Sequence, residues 1–338
     1  MSSINESIHD NPIIKIGIIG CGQMGRKHAL NCSKIEGVSV VAIADKDEHR
    51  SKTLAQEIGA FPYSTYKDVV AVEALDAVIV ATPPDQHGEA ALGAIKAGKS
   101  VFIEKPIALD MATARALCEA ADKAGVVNAV GFHLRYAPLT QKAKALIAGK
   151  QVNEVRSVTT TSYYLKLDMP GWFLQRKHSG GPLLEQSLHM FDIARYLVGD
   201  ITHIFAQGAR LVRPELAEFD SEDTMVLAYR ISNGALGVHL DSCATTVFNW
   251  EIELFGEDWR LLIDYARNQI SGYIREKQIQ YNPADIDIHE IEIQAFIETI
   301  RSKEKILILS NFADATKTLE AMLAADMSLK NGLQSHLG

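Results

Sequence analysis

One short stretch limits what this chain can fold into more than any other. Ile16-Gly17-Ile18-Ile19 is apolar and runs directly into Gly20-Cys21-Gly22-Gln23-Met24-Gly25, after which apolar residues recur at helical spacing. A G-x-G-x-x-G turn between a strand and a helix is the sequence mark of a βαβ unit that cradles a dinucleotide. Gly20 permits the tight turn, Gly22 lets a pyrophosphate approach the backbone, and Gly25 allows the helix to close on the strand. Backbone N–H groups of residues 20–25, those of Cys21, Gln23 and Met24 among them, then face the phosphates together with the positive end of the helix dipole. Asp45 stands twenty positions beyond Gly25, at the end of the next apolar run. There it can accept hydrogen bonds from the adenine-side ribose and repel a 2′-phosphate, which favours NAD over NADP. Lys46, His49 and Arg50 soften that repulsion, leaving NADP as an alternative. Asp45 is also a suitable cap for the helix that follows.

The alternation continues. Strand-like segments at 14–19, 38–44, 77–81, 100–103 and 126–131 are separated by helical patterns at 24–35, 46–58, 85–97 and 110–124. Strand and helix in strict turn require parallel pairing through right-handed crossovers, with helices on both faces of the sheet. An N-terminal, doubly wound Rossmann domain over residues 1–131 is therefore expected. A length of 338 residues leaves room for a second domain, and the pattern changes after Gly131. A helix at 138–148 precedes a strand around 152–164, a loop holding Met169-Pro170-Gly171-Trp172-Phe173, and a helix at 183–198. Segments near 201–212, 224–231, 235–242, 250–255 and 260–265 then alternate apolar with polar residues, as a sheet with one buried face does. Helices at 291–301 and 311–330 close the chain. The fold class expected is α/β, with a C-terminal α+β domain over 132–338 built on a large, mostly antiparallel open sheet. Its last helix is free to pack back on the first domain.

Charge narrows the partners. Lys and Arg number 34 against 42 Asp and Glu, for a net charge of −8, and the basic residues are scattered, so neither nucleic acid nor an anionic membrane surface is expected. The apolar runs fall far short of a membrane span. The polar start, MSSINESIHDNP, lacks the regions of a secretory signal, and a cytoplasmic setting is expected. Cys21, Cys32, Cys118 and Cys243 form no C-x-x-C pair and read as buried side chains. No histidines show metal-ligand spacing, and no metal is expected.

At the carboxyl ends of the predicted strands 77–81 and 100–103, where an open α/β sheet binds its ligand, stand Ala81-Thr82-Pro83-Pro84-Asp85-Gln86-His87 and Glu104-Lys105-Pro106. Together with Gly131-Phe132-His133-Leu134-Arg135-Tyr136 and Gly180-Gly181-Pro182-Leu183-Leu184-Glu185-Gln186-Ser187-Leu188-His189, they resemble the glucose-fructose oxidoreductase / inositol dehydrogenase / rhizopine catabolism (Gfo/Idh/MocA) family, from about residue 13 to 330. The resemblance implies NAD(P)-linked hydride transfer at a secondary alcohol of a sugar or cyclitol. It assigns the catalytic lysine and histidine to Lys105 and His189. Many relatives carry Asp where this chain has Glu185, Gly where it has Ser187, and a third glycine where it has Pro182.

The residue types suit that chemistry. Oxidising CH–OH needs a base for the hydroxyl proton and positive charge near the forming alkoxide. Lys105 supplies the charge if it faces the cleft; the alternative is a strand-end lysine paired with Glu104. Glu185, His189, Asp192 and Tyr196 form one polar stripe on an otherwise apolar helix, facing either the cleft or solvent. In the first case His189 is the acid-base group and Glu185 orients it. Thr82 and Pro83 are expected beneath the nicotinamide ribose, with Glu104 and Lys105 near the cofactor and His87 either beside it or a satisfied structural histidine. Arg135 and Tyr136 either contact substrate or bridge the domains, and Trp172 is either a sugar-stacking platform or a core anchor. The open face of the second sheet needs covering, which predicts a homodimer or homotetramer. Two other functions fit the same architecture: a non-catalytic, nucleotide-responsive regulatory binding protein, and a glycosidase that uses NAD transiently.

Overall fold

The structure, a computed structural model, describes residues 12–148, 154–165, 171–211, 218–304 and 307–337. The expected strand start at 152–153, the loop residues 169–170, the strand end at 212 and the polar start through residue 11 lie outside the described residues.

The first sheet contains β1 (Ile14–Ile19), β2 (Val38–Ala44), β3 (Phe61–Tyr63), β4 (Ala77–Val80), β5 (Ser100–Ile103) and β6 (Asn128–Val130), all parallel, in the order β3-β2-β1-β4-β5-β6. This is the doubly wound arrangement, with its switch point between β1 and β4. Helices α1 (Gln23–Cys32), α2 (Glu48–Ile58), α3 (Tyr66–Val70), α4 (His87–Lys96) and α5 (Met111–Ala124) cover it. β4 is buried at every position, which is why its sequence is apolar without alternation. The sequence reading missed β3 and α3. β3 is a three-residue edge strand with Pro62 at its centre, too short to show a period.

The second sheet has nine strands: β7 (Ser157–Leu165), β8 (Ile201–Ala209), β9 (Thr224–Ile231), β10 (Leu236–Ser242), β11 (Ala244–Phe255), β12 (Trp259–Asp264), β13 (Gln269–Ile274), β14 (Lys277–Tyr281) and β15 (Ser335–His336). Their order is β14-β13-β12-β11-β7-β10-β9-β8-β15, and only the β7/β10 pair is parallel. β11 begins at Ala244, earlier than expected, because residues 244–249 diverge from β7 through a register shift that breaks the alternation. β13, β14 and the two-residue β15 carry too few apolar residues to register as strands.

Helix α6 (Pro138–Ile147), the short α7 (Arg176–Ser179) and α8 (Leu188–Leu197) belong to the second half. The expected helix at 183–198 is two structures: a π-helical segment, Leu183–Ser187, followed by α8. The last two helices return toward the first sheet. α9 (Ile288–Ser302) places Ile293, Phe296 and Ile297 in one core with Ile16, Ile18 and Phe102. α10 (Phe312–Asn331) contacts α5 on one side and α8 and β8 on the other. Among the described residues no helix is long and apolar enough to cross a membrane.

Candidate active site

The glycine loop leaves β1 with Gly20 at φ +95°, and a Cβ there would lie 2.5 Å from the carbonyl oxygen of Ala81. A Cβ on Gly25 would sit 1.8 Å from the Gly20 carbonyl oxygen, so this position admits only glycine. Gly22 is different, because nothing lies within 4 Å of where its Cβ would be. The space above Gly22 is open, and α1 begins there without a side-chain cap, leaving its first N–H groups available to an anion. Gln23 is exposed and Met24 half-buried beside the opening, while the Cys21 side chain turns inward, where burial pushes its thiol up to about 12.

Asp45 lies at the end of β2, half-buried, and its carboxylate accepts from the backbone N–H of Cys21 at 2.6 Å and of Asp47 at 2.8 Å. It therefore borders the loop as a ribose-binding acid must. The helix-cap role falls to Asp47, which accepts from the N–H groups of His49 and Arg50. Thr82, at the end of β4, keeps a buried hydroxyl with no partner among the described residues. Next to it, Pro83 leads into a single 3-10 turn, Pro84–Gln86. An open glycine cradle, a bordering carboxylate and an orphaned buried hydroxyl on the adjacent strand together fit a dinucleotide.

Past β5, Lys105 reaches across to the second sheet's helical layer. Its Nζ donates to the Glu185 carboxylate at 2.7 Å and to the Glu185 backbone carbonyl at 2.8 Å, with the two side chains only 14% and 7% exposed. The partner of Lys105 is thus Glu185, not Glu104. Glu185 sits inside the π segment, a wider turn than the α-helix and one that often occurs at functional sites. Ser187 anchors that segment by donating from its hydroxyl to the buried carboxylate of Asp241 on β10. One turn on, His189 is 3% exposed, with His133 and Trp250 rings 4.9 and 5.3 Å away, centroid to centroid. The Lys105–Pro106 bond is cis.

Several expected site residues are placed elsewhere. Glu104 lies behind the cleft beneath Gly131, and its carboxylate meets Nε2 of His28 at 2.6 Å. Burial pushes Glu104 up, but the hydrogen bond and charge of His28 outweigh it and hold the group down at about 2. His87 is fully buried: Nδ1 lies 2.7 Å from the Pro106 carbonyl and Nε2 lies 2.8 Å from that of Thr82. Burial holds it below its usual range, and a neutral ring donates to only one of those carbonyls at a time. It buttresses the two strand-end turns from below. Arg135 is 2% exposed, with its guanidinium committed to Asp192, Asp314 and the Leu309 carbonyl. The Tyr136 hydroxyl donates to the Leu307 carbonyl and accepts from the Leu309 N–H. Both act as struts between the turn after β6 and residues 307–314. Trp172 is half-buried against Phe173. The aromatic residue beside His189 is Trp250, which sequence reasoning missed because it looks like one more apolar position of an alternating strand.

The polar stripe also divides. Its first half, Glu185 and His189, faces Lys105 and the rings, while its second half, Asp192, holds Arg135. Neither half is a solvated face.

Residues 14–132 match the oxidoreductase family with an NAD-binding Rossmann fold, and residues 140–261 match the GFO/IDH/MocA C-terminal domain. The chain is 28% identical over 340 residues to scyllo-inositol 2-dehydrogenase (NAD(+)) of Bacillus subtilis (strain 168), covering 96% of each chain. It is 29% identical over 333 residues to myo-inositol 2-dehydrogenase of Thermotoga maritima, covering 91% of this chain and 96% of that one. Among solved structures, GenD2 from gentamicin A biosynthesis in complex with NAD superimposes with a TM-score of 0.86 at 25% identity, over 97% of both chains.

Proposed function

Because this chain belongs to the Gfo/Idh/MocA family of NAD-binding oxidoreductases, which act on CH–OH groups, we propose that it interconverts a secondary alcohol and a ketone of a sugar or cyclitol. The observation that carries this reading is the Lys105–Glu185 pair at 2.7 Å, with His189 one turn beyond, at the carboxyl end of β5 beside the open glycine cradle. A dinucleotide binder that performs no chemistry needs none of these three side chains. When bound, NAD supplies the hydride acceptor.

The residues divide the remaining work. The Lys105 ammonium lies where the substrate oxygen gains negative charge, and donates a hydrogen bond to it. Glu185 holds that ammonium in place through two contacts and keeps the buried charge paired. His189 takes the hydroxyl proton. Thr82 offers its buried hydroxyl to the nicotinamide ribose, and Asp45 selects NAD by accepting from the adenine ribose. Trp250 presents a ring face beside the reacting carbon. The names of the inositol dehydrogenase relatives support a cyclitol as the first substrate to try.

The test follows nicotinamide absorbance with NAD and NADP across myo-inositol, scyllo-inositol, simple hexoses and their methyl glycosides. NADH formation with at least one polyol, faster than NADPH formation, is expected. Tight NAD binding with no turnover on any alcohol would instead identify a regulatory binder. Glycoside cleavage without net NADH would identify a glycosidase.

A further inference from the structure

Behind His189 the fold lines up three more imidazoles for which hydride transfer itself has no use. The ring of His189 meets that of His133 edge to face, with centroids 4.9 Å apart and planes at 66°. His133, in the 3-10 turn His133–Tyr136, stacks on His289 at 4.2 Å and 20°. His289 tilts against His28 at 6.4 Å. The four rings come from α8, the 3-10 turn, α9 and α1, so the row exists only in the folded chain.

The row joins the cleft to the surface. Its inner end is His189. At His289, whose side chain keeps 15% exposure, it nears the outside, with the buried Nδ1 3.4 Å from Oδ1 of Asp287, a residue 31% exposed and 3.4 Å from the Lys27 ammonium. His28 closes a side branch onto Glu104. The Nδ1 atoms of His28 and His289 are buried without hydrogen-bond partners among the described residues, a costly arrangement for groups with only a packing role. No three His, Cys, Asp or Glu side chains among the described residues are arranged to hold a metal ion.

Alcohol oxidation releases a proton, and with cofactor and polyol filling the cleft that proton needs a second way out. We propose that His133 and His289 form a relay that carries the substrate's hydroxyl proton from His189 to solvent beside Asp287. The proposal rests on the dehydrogenase reading above. The substrate hydrogen leaves carbon with both bonding electrons as hydride, which the nicotinamide of bound NAD would accept; the O–H bond breaks, its electron pair completes the C=O bond, and its proton passes to His189. His189 gives a proton to His133, His133 to His289, and His289 to water. Each ring returns to neutral, and no electrons travel along the row. Neither an edge-to-face nor a stacked pair of rings sets nitrogen against nitrogen, so each step, His189 to His133 and His133 to His289, requires a ring turn or one bridging water. In ketone reduction the same route runs inward.

The charges around the row are Lys105 and Glu104 from β5 and its turn, Lys27 from α1, and Asp287 beside His289, while Glu292 on α9 is held neutral by burial. Burial, reinforced by the charge of the neighbouring ring, holds His133 well below its usual range. Burial also takes His289 to about 4, against the pull of Glu104. Both rings are therefore neutral at rest, and a proton on either would be transient.

His133→Phe and His289→Phe keep an aromatic ring in place but carry no proton. In dilute buffer each should lower kcat for polyol oxidation by about tenfold or more, with NAD affinity unchanged. Added imidazole should restore the rate of the variants saturably and leave wild type unaffected. The solvent deuterium isotope effect should grow while that of the C–D substrate shrinks. Wild-type rates for both variants in dilute buffer would overturn the relay, as would a loss that neither imidazole nor solvent deuterium alters. If His133→Phe does not fold, His289→Phe decides alone. If wild type oxidises no polyol, the dehydrogenase reading fails and the relay with it; failure of the relay alone leaves wild-type turnover intact.

Discussion

Glu185 shows how one methylene places a charge. From a π-helical turn its longer side chain brings a carboxylate to 2.7 Å from Lys105 Nζ, while its own backbone carbonyl takes a second hydrogen bond from the same ammonium. Lys105→Ala or His189→Ala should lower kcat by roughly 10²- to 10⁴-fold. NAD affinity, read by fluorescence titration, should hold, since neither side chain lines the glycine cradle. A near-wild-type rate for His189→Ala would remove it from the chemistry. Asp45→Ala should narrow the NAD over NADP preference in kcat/KM, because it deletes the carboxylate that opposes a 2′-phosphate. An unchanged ratio would place discrimination elsewhere. The Lys105 and His189 motifs were legible in sequence. The pairing of Lys105 was not, because Glu104 and Glu185 are equally good partners on paper and only the chain's path turns Glu104 to His28.

At the scale of elements, α9 is the least expected. Its periodicity announced a helix, but nothing in it revealed that it would cover the first sheet and deliver His289 and Glu292 to the junction. Glu292 is 1% exposed, with both carboxylate oxygens unpartnered among the described residues, and burial pushes it well above the usual carboxylate range. Its folded form thus stays protonated where the unfolded chain would ionise. Stability is undiminished below the ordinary value of 4.5 and is lost as pH rises through the folded value. Glu292→Gln should therefore raise Tm more at pH 8 than at pH 5, and equal shifts at the two pH values would mean that Glu292 is already ionised in the fold. The π segment was equally hidden, since residues 183–187 have ordinary helical spacing and only the Ser187–Asp241 hydrogen bond shows how they are held.

Across the whole molecule, Arg135 ties the two halves together. Its guanidinium joins the turn after β6 to Asp192 on α8 at 2.6 and 2.7 Å and to Asp314 on α10 at 2.6 Å. Removing it leaves the buried Asp192 with only the Thr318 hydroxyl at 2.9 Å and Arg195 at 4.0 Å, so Arg135→Ala should cost about 3 kcal/mol in chemical denaturation; a cost below about 1 kcal/mol would show that the pair adds little to stability. On the outer face of the second sheet, Val226 and Leu236 are 46% and 55% exposed, and Val238 stands opposite Ala228. We propose that a second copy covers this strip. Light scattering at micromolar concentration should give the mass of two or four chains, and a one-chain mass would refute it.

Local rules were enough for the sequence to determine the glycine turn, the parallel alternation, the one-sided second sheet, and the residues capable of acid-base chemistry. A glycine with no room for Cβ, a period of two and a period of 3.6 are each written within a dozen neighbouring positions. Only the tertiary structure decided which polar residues meet. Lys105 and Glu185 are eighty positions apart, Arg135 and Leu309 174, and the four rings of the histidine row lie on four elements. Contacts at such separations are set by how sheets and helices stack to bury their apolar faces. A side chain's partner, and with it its charge and role, follows from that packing and not from its neighbours in the chain.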